Sequence, residues 1–337
     1  MTRHHAISGT QQCTRGRRAL CASFALVSAF AFSGTSHAQS YPTKPVRVII
    51  PAPVGGGVDT IGRNVSQKLS EALGQPFVAD NKPGAGTTIG SELTARAPAD
   101  GHTLLFMTNS HAINAAVRKH LKYDPIKDFS AVSLLAISPY LVVIHPSVPA
   151  KSVRELIAVA RSHPGGLQFA SAGTASATHL AGELFAHMAK VKMLHVPYKG
   201  GAPAVTAVVS GEAQLMFNNL ISVMGLAKQG RLRAIAITSS KRSALLPDLP
   251  TVAEAGLPGY ESASWYGALV PANTPPQIVA TLNREMVKAI KSPEISGKLT
   301  AQGAEVIGST PEDFGSYLRR DIERWRKLVP AIGVSID

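Results

Sequence analysis

Cysteine is nearly missing from this sequence, because the 337 residues include only two and both lie within the first 21. Charged residues make up 16% and aromatic residues 6%, while the hydrophobic fraction of 45% indicates a folded globular chain rather than a disordered one. After residue 32 there is no apolar run close to the roughly 20 residues that span a bilayer. These shortages exclude a disulfide scaffold, thiol chemistry and a membrane anchor downstream of residue 38.

The N-terminus has the composition of a secretory signal peptide. An uncharged, mostly apolar run covers residues 19–32, and Ser36-His37-Ala38 offers small residues at the two positions that a signal peptidase reads. We expect cleavage after Ala38 by the general secretory route rather than the twin-arginine route, because the residues after Arg17-Arg18 fit the latter pattern poorly. The acid-free segment before the apolar run contains four arginines: Arg3, Arg15, Arg17 and Arg18.

Positive charge is in excess along the whole chain. The formal net charge is +13, and removal of residues 1–38 with their four arginines leaves +9 on 299 residues. The basic residues are spread out and are not interleaved with aromatic residues, so nucleic acid is a poor fit for an exported protein. Anionic ligands or partners are the more natural use of such a field.

Strand, loop and helix patterns alternate along the chain and predict an α/β fold. Buried strands are indicated at 46–50, 77–81 and 103–108, and the alternation resumes at 167–172. The apolar runs at 131–144 and 262–270 interrupt it, and we expect them to pass between two lobes. Lobe 1 is then discontinuous, at 41–142 plus 260–337, and lobe 2 covers 143–259. A cleft between the lobes is the expected ligand site.

Two loops with small residues join a predicted strand to a predicted helix. The first, Pro51 to Asp59, contains three consecutive glycines, which let the backbone approach a ligand closely. It lacks the Lys and hydroxyl residue of a Walker A loop, and Asp59 is expected to organise the loop and open the helix. The second, Ser171 to His179, combines hydroxyl side chains with free N–H groups, which suit a carboxylate or phosphate oxygen. A tight turn without ligand and a simple Ser/Thr helix cap are the competing interpretations.

Short motifs of distinctive composition occur along the whole region after the signal peptide. They are Val54-Gly55-Gly56-Gly57-Val58-Asp59, Ala170-Ser171-Ala172-Gly173, Thr178-His179-Leu180, Val196-Pro197-Tyr198-Lys199-Gly200-Gly201, Trp265-Tyr266-Gly267 and Thr274-Pro275. Together they resemble the motifs of the Bug family, the periplasmic receptors of tripartite tricarboxylate transporters. The resemblance implies a two-lobed periplasmic-binding-protein type II fold (a Venus flytrap) that closes over an organic acid in the periplasm, without a cofactor and as a monomer. It also implies delivery of the ligand to a membrane permease, or to a sensor protein.

The resemblance also implies which residues contact the ligand, and two departures from the family pattern change what that ligand is expected to be. Ala52 replaces a usual aromatic residue, which enlarges the pocket, and Asn218 replaces a frequent aspartate, which disfavours a ligand amine. A dicarboxylate, a citrate-like acid or an aromatic carboxylate each fits. The implied ligand-binding residues are Val54, Gly55, Gly56, Val58, Asp59, Asn109, Gly173, Thr174, Ser176, Tyr198 and Asn218.

Metal binding is the main alternative. His179, Glu183 and His187 recur at spacing four on one predicted helix, so they could hold zinc in a metal-binding receptor or in a secreted hydrolase. A glycine run at 84–90 resembles a dinucleotide fingerprint with its last glycine one place late. Neither a nucleophile elbow nor a pair of acid–base carboxylates occurs in the two loops, so we expect a binding protein and not an enzyme.

Overall fold

The computed structural model describes residues 41–334, and the predicted signal peptide at residues 1–38 lies outside them. The strands in this part of the chain are β1 (Val46–Ile50), β2 (Phe77–Asn81), β3 (Thr103–Thr108), β4 (Phe129–Ile144), β5 (Gln168–Ser171), β6 (Leu194–Pro197), β7 (Leu215–Asn219), β8 (Arg233–Ile237), β9 (Ala263–Pro271) and β10 (Glu305–Val306). The α-helices are α1 (Gly57–Leu73), α2 (Thr88–Ala95), α3 (Ser110–Val117), α4 (Val153–Ser162), α5 (Ala177–Ala189), α6 (Gly201–Ser210), α7 (Leu220–Lys228), α8 (Pro276–Lys291), α9 (Pro293–Ala301) and α10 (Pro311–Ile332). None of these helices has the length and apolar character needed to cross a membrane.

The strands form one mixed sheet with two parallel parts. Its order is β2-β1-β3-β9-β4-β7-β5-β6, and β8 and β10 also pair with β4. β1, β2 and β3 run parallel to one another, as do β5, β6 and β7, and each group follows the strand–loop–helix alternation predicted from the sequence. The α/β prediction is therefore confirmed.

β4 and β9 join the two parallel groups. β9 pairs with β4 from Phe129 to Pro139, and β7 takes over from Tyr140 to Ile144. The change of partner falls at Pro139, which has no N–H to donate to a ladder. We call β1, β2, β3, β9, β10 and β4 up to Pro139 the first half-sheet, and β5 to β8 with β4 from Tyr140 the second half-sheet. The lobe boundaries after residues 142 and 259 stay a prediction.

Apolar helix faces cover both half-sheets. The helix α1 buries Ile61, Val65 and Leu69 at spacing four against the same core as Val48 and Ile50 of β1. In the second half-sheet, another core gathers buried residues of β4, α4, β5, α5 and β7. The long helix α10 packs its buried face on a third core that contains residues of α3, β3, β9 and α5. This packing fixes the strand ends on which the candidate site is built.

Candidate functional site

The carboxyl ends of the two parallel groups point towards each other. Thr108 at the end of β3 pairs with Tyr266, which in turn lies opposite Ala136 of β4. Asn219 at the end of β7 pairs with Tyr140, which is four residues further along β4, or about 13 Å in an extended strand. Since β7 runs antiparallel to β4 and β3 runs the same way as β4, the loops after both groups meet over this stretch. We call this region the junction.

The first predicted loop follows β1 and lies at the junction. Val54 is 72% exposed, and the flanking Gly55 and Gly56 are exposed as well. The sequence predicted that Asp59 opens α1. The structure has Gly56 as the N-cap, so the helix begins at Gly57, two residues earlier. Within the described residues no side chain caps this helix, and its first N–H groups remain available to an anion.

Asp59 organises the first loop from below, as predicted. Its buried carboxylate accepts hydrogen bonds from the Gly55 N–H at 3.0 Å, the Asn81 amide at 2.9 Å and the Arg63 guanidinium at 3.0 Å. Burial alone would raise the pKa of Asp59, but these hydrogen bonds and the Arg63 charge lower it below its usual value. Asn81 also donates to the Ala52 carbonyl at 2.9 Å. The Asp59 carboxylate is thus used by hydrogen bonds that hold the loop in shape. It supports the backbone groups predicted to contact the ligand.

The second predicted loop follows β5 in the second half-sheet. Ser171 accepts from the Gly173 N–H and donates to the Gly173 carbonyl, both at 3.1 Å. Gly173 has φ +127, and a Cβ there would approach the Tyr198 carbonyl to 3.3 Å, so only glycine fits without strain. Thr174 is exposed, and the Ser176 hydroxyl caps α5 by accepting from the His179 N–H at 3.2 Å. The loop therefore holds its backbone rigidly and leaves Thr174 open to solvent.

Two stacked histidines brace the second loop. The rings of His179 and His195 are 3.7 Å apart, and His195 Nε2 lies 2.6 Å from the Ser171 hydroxyl. Nδ1 of His179 accepts from the Ala175 N–H at 3.0 Å, so that nitrogen carries no proton. Burial, helped by the neighbouring His179, lowers the pKa of His195 to about 4.

The predicted metal stripe does not assemble in the described residues. Nε2 of His179 lies 3.3 Å from Glu183, but no three His, Cys, Asp or Glu side chains within residues 41–334 are grouped to hold one metal ion. His187 instead lies on the outer surface of α5, where it lines a separate groove. The alternative of a zinc site on His179, Glu183 and His187 therefore has no support from the geometry.

Asn109, a predicted ligand-binding residue, lies directly after β3 at the junction, among residues that the sequence analysis did not single out. Its amide donates to the Ala263 carbonyl at 3.0 Å and lies 3.4 Å from the Tyr140 hydroxyl, and the Ser264 hydroxyl is 3.4 Å from its Oδ1. Asn109 is 2% exposed. It thus ties β3 to both strands that join the half-sheets.

Tyr266 is the functional candidate that sequence reasoning missed, although it was quoted within a motif. It is 2% exposed, and its hydroxyl makes no hydrogen bond of ordinary geometry within residues 41–334. A Cβ on Gly57 would lie 2.6 Å from this hydroxyl, so the hydroxyl lies directly against the first turn of α1. Burial, partly offset by the nearby Ser264 hydroxyl, raises the pKa of Tyr266 to about 12, so the group remains a donor at neutral pH.

Tyr198 and Asn218 complete the second-half side of the junction. Tyr198 follows β6 and its N–H donates to the Ser171 carbonyl at 3.0 Å, which places it beside Gly173. Asn218 is 3% exposed, accepts from the Asn219 N–H at 2.8 Å, and lies 3.9 Å from a Cβ built on Gly201 at the start of α6. The second loop, Tyr198 and Asn218 thus form one cluster.

The predicted residues therefore form two groups on opposite sides of the junction. Within the described part of the chain no hydrogen bond joins the first loop to the second. Within the described residues, four helices begin at these strand ends without a side-chain cap hydrogen bond from their N-caps Gly56, Asn109, Gly200 and Asn219. In α3, however, the first N–H, that of Ser110, donates to the Thr108 hydroxyl at 3.3 Å. By contrast, Ser152 and Thr310 cap α4 and α10 with their hydroxyls. The junction can accordingly offer free backbone N–H groups and positive helix ends to an anion from two sides.

The chain is similar to several known proteins. Residues 61–334 match the model of the tripartite tricarboxylate transporter family receptor. Rpa4515 of R. palustris, solved with adipate, is 38% identical with a TM-score of 0.83, covering 88% of this chain and 99% of that one. MatC (Rpa3494) from Rhodopseudomonas palustris, solved with bound malate, is 33% identical with a TM-score of 0.80, covering 86% and 100%.

A third solved structure, the periplasmic binding protein BugD, is 30% identical with a TM-score of 0.81, covering 88% of this chain and 99% of that one. The neighbours are solute-binding proteins, so the expected two-lobed periplasmic-binding-protein fold is confirmed. The chain therefore belongs to the Bug proteins, the solute-binding receptors of the tripartite tricarboxylate transporter family.

Proposed function

We propose that this protein captures a small organic dicarboxylate at the junction, in the periplasm, and delivers it to a tripartite tricarboxylate-type membrane transporter. The observation that carries the proposal is the meeting of uncapped helix N-termini from both half-sheets at one place. A ligand with a carboxylate at each end can satisfy both sets of N–H groups at once. Because only a closed arrangement allows both contacts, the ligand favours closure.

The two loops divide the binding. The first loop offers the N–H groups of Gly56, Gly57 and Val58 at the start of α1. The second loop offers the hydroxyl and N–H of Thr174, because the N–H groups of Gly173 and Ala175 already donate to Ser171 and His179. Hydrogen bonds to a charged group contribute about 1.5–3 kcal/mol each, so four contribute about 6–12 kcal/mol. The upper end reaches the roughly 8 kcal/mol of micromolar affinity when association costs about 4 kcal/mol, its lower bound. No cation is required, and none of the predicted site residues is one.

Tyr266 supplies one of these hydrogen bonds in our proposal. Its protonated hydroxyl has no hydrogen-bond partner of ordinary geometry within residues 41–334 and lies against Gly57, where the dipole of α1 favours a negative group. A carboxylate at this position would accept from the hydroxyl and from the helix N–H groups together. The bulk of Tyr266 also explains why Gly57 must be glycine.

The ligand class follows from the relatives and from one departure. Rpa4515 was solved with adipate and MatC with malate, and both ligands carry two carboxylates and no amine. Asn218 offers a neutral amide where an aspartate would attract an amine. We therefore place dicarboxylates ahead of amino acids and of tricarboxylates for this chain.

The testing experiment is titration calorimetry of residues 39–337 with adipate, malate, citrate, benzoate and glutamate. We expect a dicarboxylate to bind with roughly micromolar affinity, and Tyr266→Phe to weaken it by about tenfold, the effect of one hydrogen bond to a charged group. Thermal stability of Tyr266→Phe should be equal or higher, because the hydroxyl removed is buried without a partner.

Tyr260→Phe is the matched control. Its buried hydroxyl donates to the Ala181 carbonyl at 2.9 Å, so the variant should lose stability while keeping the ligand affinity. The opposite pattern in the two variants would remove Tyr266 from the site. Absence of binding to every carboxylate, together with zinc binding that EDTA reverses, would overturn the proposed function.

A further inference from the structure

A groove of about 870 Å³ lies on the surface between α5 and α10, apart from the junction loops. Its apolar residues are Leu184, Met188 and Leu328, and Gly259 closes one end. The α10 wall is dominated by cations. The charged and ionisable side chains that line the groove are His187, Arg319, Arg320, Glu323, Arg324 and Lys327.

Most of the positive charge in this groove is not balanced. Within residues 41–334, only Lys327 among its four cations has a carboxylate at ion-pair distance, namely Glu323 at 3.5 Å. Arg324 donates instead to the Glu261 carbonyl at 2.6 Å, and Arg319 to the Ser316 hydroxyl at 3.1 Å. These neutral acceptors leave the guanidinium charges in place. The groove thus combines an excess of positive charge with an apolar strip, which suits an acidic and partly apolar protein segment.

The two walls of the groove belong to different halves of the molecule. The α5 wall starts at the second loop of the junction, and Leu184 belongs to the core of the second half-sheet. The α10 wall is held by the first half-sheet, because Trp265 of β9 donates to the Asp321 carboxylate at 2.8 Å and Phe314 packs on Trp265. α10 also contacts the second half, because Leu180 of α5 lies in the third core together with α10, and Leu328 near the end of α10 packs on the second-half core. A rotation of one half against the other therefore changes the width of the groove.

We propose that the groove between α5 and α10 is a docking surface for an acidic, partly apolar segment of the membrane transporter. The inference rests on the proposed function, which requires the membrane partner to distinguish the loaded receptor from the empty one. A segment seated between walls from both halves makes this distinction directly, since closure alters its contacts. The charge of the groove selects an acidic segment, and the strip along Leu184, Met188 and Leu328 accepts its apolar residues.

The test measures binding of residues 39–337 to nanodiscs that carry the membrane subunits of the source bacterium's tripartite tricarboxylate transporters. Empty nanodiscs of the same anionic lipids form the second arm, and each arm is run without ligand and with saturating adipate or malate. We expect binding to the transporter nanodiscs alone, tighter with ligand, and weakened when salt rises from about 50 to about 300 mM. The double variant Arg320→Glu with Lys327→Glu should lose at least about tenfold in affinity.

The control carries the same change of charge elsewhere. Arg231→Glu with Lys241→Glu alters two exposed cations that are not in the groove and have no carboxylate partner within the described residues. We expect it to bind the nanodiscs like the parent. Arg320→Gln with Lys327→Gln removes the two charges without reversing them and is used if the reversal disturbs folding. Thermal melts of all variants check that they fold.

Three results would overturn the docking surface: parental affinity in both groove variants, equal binding to empty nanodiscs, or no binding to transporter nanodiscs by any form. Equal binding to empty nanodiscs would assign the groove to anionic lipid. Calorimetry with adipate and malate on the same samples shows whether the protein binds its ligand. Failure of the docking surface can therefore be distinguished from failure of the proposed function. A parent that binds neither acid but binds transporter nanodiscs through the groove would remove the ligand assignment and keep the docking surface.

Discussion

His111 is a buried side chain whose titration contributes to the pH dependence of stability, alongside that of His195. It is fully buried at the start of α3, its Nε2–H donates to the Pro125 carbonyl at 2.8 Å, and its Nδ1 has no partner within the described residues. Tyr123 and Phe129 pack against its ring. Burial lowers the pKa of His111 to about 4, with the Pro125 hydrogen bond acting in the opposite sense.

We predict that His111 reduces the stability of the protein at acidic pH. The unfolded chain takes up the proton near pH 6.5 and the folded chain only near 4, so the free energy of unfolding falls as pH drops through this window. Between pH 7 and pH 5 the loss from His111 is about 2 kcal/mol. Urea unfolding at both values should show a smaller loss by about this amount in His111→Gln. Equal losses in parent and variant would mean that His111 does not titrate in this window.

For single residues, the sequence predicted the role of a side chain better than the residues that contact it. Asp59 was expected to organise the first loop, and its position shortly after three glycines was sufficient for that. Its partner Asn81 lies 22 residues away on a neighbouring strand, and Tyr266 comes from a part of the chain more than 200 residues after the loop. Such contacts depend on sheet order, which local patterns do not encode. No sequence signal other than the position of Asn81 at a strand end indicated them.

Two capped helices, one at the junction and one away from it, allow the effect of a cap on stability to be distinguished from its effect on ligand binding. Ser176 caps α5 at the junction, and Thr310 caps α10 by accepting from the Asp313 N–H at 3.1 Å, away from the junction loops. We predict that Ser176→Ala and Thr310→Ala each lower the free energy of unfolding by about 1 kcal/mol. Calorimetry should show weaker dicarboxylate binding in Ser176→Ala alone. Equal affinities in the two variants would exclude Ser176 from the ligand site.

Element boundaries were predictable where caps and prolines mark them. Ser152 before α4, Thr310-Pro311 before α10, Pro276 at the start of α8 and Gly74 after α1 all stand at helix ends of the structure. The apolar run at 131–144 forms the single strand β4, although Pro139 lies within it and proline normally interrupts a strand. Pairing with β9 before the proline and β7 after it removes the conflict. The helices α3 and α7 follow strand ends directly and carry no such marks.

For the whole molecule, ligand binding should bring the two loops together. Thr60, just after the first loop, and Lys199, beside the second loop, are both exposed and lie on opposite sides of the junction. Both native cysteines precede residue 39, so spin labels on Thr60→Cys and Lys199→Cys report without background and leave the proposed ligand contacts in place. We predict that saturating dicarboxylate shortens the label distance by several ångströms, as measured by pulsed electron resonance.

A label pair within one half is the control for this measurement. The exposed residues Lys199 and Gln229 both belong to the second-half elements, so their distance should not respond to ligand. An unchanged Thr60–Lys199 distance in protein saturated with ligand would contradict closure as the binding mechanism. The lobe boundaries could then be placed by further pairs across residues 142 and 259.

The uncapped helix starts at the junction have a consequence for how the receptor lets its cargo go. In the proposed site, neutral N–H groups bind the carboxylates in place of arginine side chains. Dissociation of the ligand therefore breaks no buried ion pair. Cargo affinity should therefore change little with ionic strength, whereas attachment through the basic groove should depend on it strongly. Raising the salt concentration would then weaken docking of the receptor to its membrane partner while the affinity for the ligand stays nearly constant.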